Sequence, residues 1–315
     1  MEMARSGRSI RTCTHLNENI MKKKFEESEL IINSDGSIFH LHLKPEQLAD
    51  DVILVGDPGR VPTVASFFDT TECDISNREF RTITGTYHGK RITVISTGIG
   101  CDNIDIVLNE IDACANIDFA TRTEKDELRS LNIVRIGTCG GLQKNTPEGT
   151  FIASVKSIGF DGLLNFYAGR NEVCDLSLEK DFLNHMQWQD TVCIAHPYVI
   201  DADASLVDRI AGDDMVRGIT IACGGFFGPQ GRELRIPLAD PHQNEKIMNY
   251  EYHGLRITNF EMESSAVAGL SRLMGHKATT CCMVIANRVA GRANPNYKNS
   301  IEVLIKTVLD RLTAE

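Results

Sequence analysis

A chain of 315 residues, 42% hydrophobic and 24% charged, is long enough to bury a substantial core as one large domain or two ordinary ones. Its net charge of -10 excludes a generic nucleic-acid or membrane-surface binder, so any anion site has to be local. Ten cysteines without a C-x-x-C pair read as reduced, buried thiols of a cytoplasmic protein rather than a zinc framework or a disulfide scaffold, and no apolar run approaches the roughly 18 residues of a membrane span.

Residues 1–20 are polar, carry Arg5, Arg8 and Arg11, and lack the apolar core of a secretory signal. They read as a disordered extension, taken to run to residue 30, ahead of a folded part over 31–315. Ile38 to Leu43 alternates as a short extended segment would, presenting His40 and stopping before Lys44-Pro45. A lone histidine there is more often a surface or satisfied core residue than a functional one.

Val52 to Val55 is a buried-strand candidate. It runs into Gly56-Asp57-Pro58-Gly59-Arg60 and a predicted helix over 61–68, with Pro62 in the first turn. Strand, glycine loop and helix is the arrangement that cradles phosphate, but neither the G-x-x-x-x-G-K-[ST] nor the G-x-G-x-x-G pattern is present, so nucleoside triphosphates and NAD are not expected. A second unit follows: strand 91–97, then Gly98-Ile99-Gly100, then a helix over 103–115 with Ile104, Val107, Leu108 and Ile111 on one face. Residues 118–130 are charged and read as a solvated helix or loop.

The third unit is Ile133 to Gly141, where Arg135 interrupts an apolar run. A buried guanidinium needs an anionic partner. Gly137, Gly140 and Gly141 are expected to bend the chain and offer N–H donors to an anion; the plain alternative is a surface arginine on an ordinary turn. Three such loops would gather beyond the carboxyl ends of the strands, where ligands of open α/β sheets bind.

Further on, strands are predicted over 151–155, 216–223 and 279–286, and a last amphipathic helix over 301–312. The loop Gly224 to Arg232 places Phe226 and Phe227 ahead of Gln230 and Arg232. An aromatic face, an amide and a guanidinium suit a flat ring with a polar edge, such as a nucleobase; an aromatic-anchored surface loop is the alternative. Glu261 and Glu263 precede a helix that ends near Leu273, where acidic residues serve as capping and dipole partners. No repeat or linker divides the folded part, so a single α/β domain is expected.

In this order, Phe39-His40-Leu41, Gly56-Asp57-Pro58 through Arg60, Arg78-Glu79-Phe80, Ser96-Thr97-Gly98-Ile99-Gly100, Arg135-Ile136-Gly137-Thr138, Gln230 with Arg232, Glu261-Met262-Glu263-Ser264 and Asn287-Arg288 give the chain its family likeness. It resembles the uridine phosphorylases of the nucleoside phosphorylase superfamily from about Phe39 onward. The resemblance implies a single-domain, three-layer α/β/α fold with a central mixed, twisted β-sheet. It also implies phosphorolysis, in which a pyrimidine nucleoside and phosphate yield free base and ribose 1-phosphate, uridine being the expected substrate.

The resemblance further implies that Gly56, Arg60, Arg135 and Thr138 hold phosphate, joined by Arg78 of a neighbouring subunit. Met262 and Glu263 would bind the ribose hydroxyls, with the neighbour's His40 at the 5′ end. Gln230 and Arg232 would read the uracil edge, with Phe226 over the ring and Arg288 nearby. Arg135, Glu263, Arg232 and Gln230 then carry catalysis, phosphate is the co-substrate, no metal or organic cofactor is expected, and shared sites require a homodimer or a larger homo-oligomer. Cys101-Asp102-Asn103 stands where bacterial relatives have small residues and proline. That departure speaks against the monovalent cation some relatives hold near the equivalents of Glu79 and Ile99. Purine-specific relatives place an aspartate where this chain has Asn287, which favours a pyrimidine. The competing readings are a purine nucleoside phosphorylase, a nucleosidase that uses water, and a non-catalytic nucleoside-binding protein.

Overall fold

Alternation along the strands decides which side chains face which helices. The computed structural model describes residues 22–188, 195–294, 296 and 298–314. In the strand Asp51–Val55, Val52 and Leu54 join a core built with the helices Cys101–Asn116 and Ser264–Leu273. Ile53 and Val55 join a second core built with Arg60–Ala65, Ala204–Ile210 and Lys298–Thr313. All four side chains are fully buried, as expected of a parallel strand covered by helices on both faces. The same alternation puts Leu131 and Ile133 in the first core and Val134 and Ile136 in the second. Arg135 therefore points to the side of the Ser264–Leu273 helix. Residues Ser264 to Ser271 of that helix are all buried, and small side chains let its neighbours close in: a Cβ on Gly269 would stand 2.9 Å from Leu164 Cδ2.

Asp51–Val55 pairs in parallel with Lys90–Ser96 on one side and Asn132–Gly141 on the other. From Asn132–Gly141 the sheet continues through Lys277–Asn287, Phe151–Gly159, Met215–Ala222 and Leu255–Glu261. Leu255–Glu261 then returns to Asn132–Gly141 in antiparallel pairing, Asn259 opposite Gly141 and Phe260 opposite Gly140. Five strands thus close into a ring. The expected mixed α/β sheet is present, with the antiparallel strands Thr70–Asn77 and Phe80–Tyr87 finishing its open edge, but the layered description leaves out this closure.

The closure explains the main departure at Arg135–Gly141. These residues do not bend; they remain strand to Gly141, in register with Lys277–Asn287. The glycines make room instead of turning. A Cβ on Gly137 would stand 2.3 Å from Arg135 Nη1, and one on Gly141 would stand 2.5 Å from the Thr146 carbonyl oxygen. At the second loop, Gly98 and Gly100 do take positive φ, 70° and 101°, as a tight strand-to-helix turn requires.

Three smaller expectations also change. Residues 38–43 form a turn in which His42 has a φ of 51°, with His42 N–H donating to the Ile38 carbonyl at 3.0 Å. Within 118–130, Ile117–Asp118 and Thr123–Glu124 pair as a short hairpin. Residues 1–21 of the expected extension lie outside the described residues, but residues 22–30 dock on that hairpin. Phe25 N–H donates to the Arg122 carbonyl at 2.8 Å, the Arg122 guanidinium donates to the Phe25 carbonyl at 2.9 Å, and Leu30 is 6% exposed in the first core. Among the described residues the cysteines are free thiols.

Candidate active site

A cavity of about 890 Å³ opens beyond the carboxyl ends of the strands. Gly56, Asp57, Pro58 and Arg60 enter it after Val55, Gly98, Ile99 and Asn103 after Ser96, and Met262 and Glu263 after Glu261. Arg135 and Gly137 to Gly140 come from within the strand that joins ring and open sheet. Ile285 sits at a bulge between Val284 and Ala286, which turns it into the cavity, as bulges beside sites commonly re-aim side chains.

At one end the charge is balanced inside the protein. Arg135 is 5% exposed; its Nη2 donates to Glu263 Oε2 and its Nη1 lies 3.3 Å from Glu261 Oε2. The anionic partner required by its burial is therefore supplied by two glutamates. Glu263 Oε1 also accepts the Gly100 N–H at 2.8 Å, tying the Gly98–Gly100 turn to the start of the central helix. Glu261 accepts the N–H groups of Glu263 and Ser264, each at 2.9 Å, so one of the two glutamates is the capping partner that its position suggested. Burial pushes the Glu263 carboxyl up from 4.5 to about 7; Arg135 pulls it down and Glu261 adds to the rise. Burial would depress the Arg135 guanidinium, but Glu263 and then Glu261 outweigh it and hold the group above its ordinary value. Arg60 lies beside this cluster, donating from Nη1 to the Ile136 carbonyl at 3.3 Å.

At the other end two guanidiniums meet Gln230, one at its side-chain amide and one at its main-chain carbonyl. Gln230 is 3% exposed; its Oε1 accepts from Arg232 Nη1 at 2.5 Å, and its carbonyl accepts from Arg288 Nη2 at 2.8 Å. The Arg232 guanidinium lies 3.7 Å from the centre of the Phe226 ring, occupying the face expected to cover a base. Burial first, and the charge of Arg288 second, lower Arg232 to about 10. Burial also lowers Arg288. Arg232 is still a cation at neutral pH, and an anion formed beside it would relieve the strain between the two charges.

Of the residues singled out in the sequence, Gly56, Arg60, Arg135, Thr138, Phe226, Gln230, Arg232, Met262 and Glu263 line this one cavity. Arg288 supports Gln230 from behind. His40 and Arg78 lie outside the cavity lining, near one another: Asn77 Nδ2 donates to the His40 carbonyl at 2.8 Å, and Arg78 begins the turn after Asn77. Arg78 is exposed with a φ of 55°, a conformation that favours glycine or asparagine in such a turn. Sequence reasoning did not single out Asn103, Ile285 or Asn294 for the cavity. Only Asn103 had a signal, its place three residues past Gly100.

The sequence profile of the phosphorylase superfamily matches residues 50–312. The chain belongs to the phosphorylase superfamily. Within it, the uridine phosphorylase of Thermococcus kodakarensis is 28% identical over 279 residues, covering 85% of this chain and 84% of that protein. The guanosine phosphorylase of Halorubrum lacusprofundi is 25% identical over 285 residues, covering 87% and 98%. A solved nucleoside phosphorylase of Trypanosoma brucei, reported to show uridine phosphorylase activity, superposes with a TM-score of 0.81 at 29% identity, covering 91% of this chain and 100% of its own. The purine nucleoside phosphorylase of Toxoplasma gondii, at a TM-score of 0.62 and 21% identity, shares the fold.

Proposed function

We propose that this superfamily member is a uridine phosphorylase, converting uridine and phosphate to uracil and ribose 1-phosphate in the cytoplasm, with the part expected over residues 31–315 as one catalytic domain onto which residues 22–30 pack. The observation that carries the pyrimidine reading is Asn287. The family resemblance implies an aspartate at this position in purine-specific relatives, there to protonate the base. Here Asn287 Nδ2 donates to the Gln143 and Thr146 carbonyls at 3.1 and 2.7 Å, and its Oδ1 accepts the Ala290 N–H at 2.8 Å. The amide is spent on holding the loop. The base end is left to Gln230, which offers donor and acceptor to a uracil edge, and to two cations.

The reaction separates charge, making the ribose ring positive and the departing uracil negative. Arg232 and Arg288 stabilise the second, more strongly in the transition state than in the ground state. Phosphate, held by Gly56, Arg60, Arg135 and Thr138, meets the first together with the Glu263 carboxylate, which with Met262 binds the ribose hydroxyls. Arg135 is already matched by Glu263 and Glu261, so the double charge of phosphate needs Arg60 and a further cation. Arg78 of a second copy of the chain would provide it, with that copy's His40 at the 5′ end of the ribose, which makes the active form a homo-oligomer.

The test is release of base and sugar phosphate from uridine, thymidine, inosine and adenosine, with and without phosphate. Uridine is expected to be cleaved only when phosphate is present, and Arg232→Ala to lose the preference among bases. Uracil release undiminished without phosphate would reject phosphorolysis, and inosine as the preferred substrate would reject the pyrimidine assignment.

A further inference from the structure

The turn at residues 38–43 leaves backbone N–H groups without the strand partners an extended segment would have given them. Glu110, on the Cys101–Asn116 helix, replaces those partners. Its Oε1 accepts the His40 N–H at 2.9 Å, and its Oε2 accepts the His40 and Leu41 N–H groups at 3.0 and 2.8 Å. The same carboxylate lies 2.6 Å from His40 Nδ1. With both oxygens accepting, the carboxylate accepts a hydrogen bond from the ring and donates none, so Nδ1 is the protonated nitrogen and Nε2 is left for another partner. The ring is 27% exposed, its main chain is held by Asn77, and the Phe39 and Phe80 rings stand edge-on at 4.7 and 6.4 Å. An anchor for the turn would need only the main-chain bonds. The contact to Nδ1 sets the ring as well.

We propose that Glu110 is a positioning residue for substrate: it fixes His40 as the Nδ1–H tautomer, so that Nε2 accepts the 5′-hydroxyl of a nucleoside bound by a second copy of the chain. This rests on the uridine phosphorylase reading above and on the place given there to His40.

The experiment compares kcat/KM for uridine and 5′-deoxyuridine in the parent, His40→Ala, Glu110→Ala and the double variant. One hydrogen bond of ordinary strength gives the parent a preference for uridine of about tenfold. Both single variants are expected to bring that ratio near unity, and the double variant to lose nothing more. Damage elsewhere in the site would slow both substrates alike and leave the ratio intact. Displacement of the turn would lower the ratio without setting the ring tautomer, which is read separately in Glu110→Gln. A ratio kept by Glu110→Ala but lost by His40→Ala overturns the role of Glu110; a ratio kept by both overturns the whole arrangement. Nitrogen-15 spectra of the imidazole at pH 8 give a readout independent of turnover. Nδ1–H is expected in the parent, and Nε2–H in Glu110→Gln, whose amide donates where the carboxylate accepted; a parent ring with Nδ1 bare refutes the proposal. A parent that shows no phosphate-dependent cleavage of uridine rejects the functional reading, while the spectra still decide whether Glu110 sets the ring.

Discussion

Glu263→Gln should flatten the dependence of stability on pH between about pH 5 and pH 8. The Glu263 carboxyl is 4% exposed and rises from 4.5 to about 7 on folding, with burial the largest cause. Between those values the native state holds a proton that the unfolded chain has released, so the contribution of this group is fully present below about pH 4.5 and declines as pH rises through about 7. With each unit worth on the order of 1 kcal/mol, the full swing is about 3 kcal/mol, most of which falls between pH 5 and pH 8. A glutamine keeps the shape and does not titrate. Its single oxygen can accept from only one of the two donors that Glu263 serves, Gly100 N–H at Oε1 and Arg135 at Oε2, so a constant loss at every pH accompanies the lost pH dependence. Urea unfolding of parent and variant at pH 5 and pH 8, at one protein concentration, isolates the Arg135–Glu261–Glu263 cluster, because groups elsewhere titrate alike in both. The parent should lose about 2–3 kcal/mol relative to the variant on going from pH 5 to pH 8. A difference that stays flat across this range would mean that Arg135 keeps Glu263 ionised throughout and outweighs burial, and the reasoning would fail.

Gly137→Ala places a Cβ 2.3 Å from Arg135 Nη1 and 3.2 Å from Cys282 Sγ. The guanidinium is held by two carboxylates, so the clash should lower stability by about 1–3 kcal/mol. It should reduce phosphate-dependent turnover more than tenfold, on the order of one lost charge-assisted contact; an unchanged urea midpoint with unchanged turnover would contradict the close approach. Asn287→Asp, the substitution that brings the acid of purine-specific relatives, should not create purine phosphorolysis. It turns a donor to two carbonyls into a buried acceptor, so the expected result is a loss of about 3 kcal/mol in urea unfolding with no gain in inosine cleavage. A stable variant that cleaves inosine would show that the amide is not committed to the loop.

Several features of the site could be read from residue types alone. Val52 to Val55 and Ile133 to Ile136 are strands because fully apolar or alternating runs bury well between helices, and the glycines after Val55 and Ser96 mark exits toward the cavity, sharp at Gly98 and Gly100. Gln230 and Arg232, and Glu261 with Glu263, stood out as polar groups next to glycine-rich or helix-start segments, although each pair also had an ordinary structural use, which Glu261 fulfils as a cap. These signals depend on neighbours close in sequence. Other features depend on segments far apart in it. Gly140 and Gly141 remain extended because Leu255–Glu261 closes the ring against them, and Gly137 is a glycine because the guanidinium two residues earlier lies over it. Arg135 called for an anion, which local sequence could not place; the fold supplies Glu263 and Glu261 more than 120 residues later. The turn at His40 likewise finds its acceptor in Glu110, 70 residues away. Sequence by itself determined which groups must be buried, bent or paired. Only the tertiary structure decided with whom, because hydrogen bonds and ion pairs are satisfied in space, by whichever segment the closed sheet and its helices bring within about 3 Å.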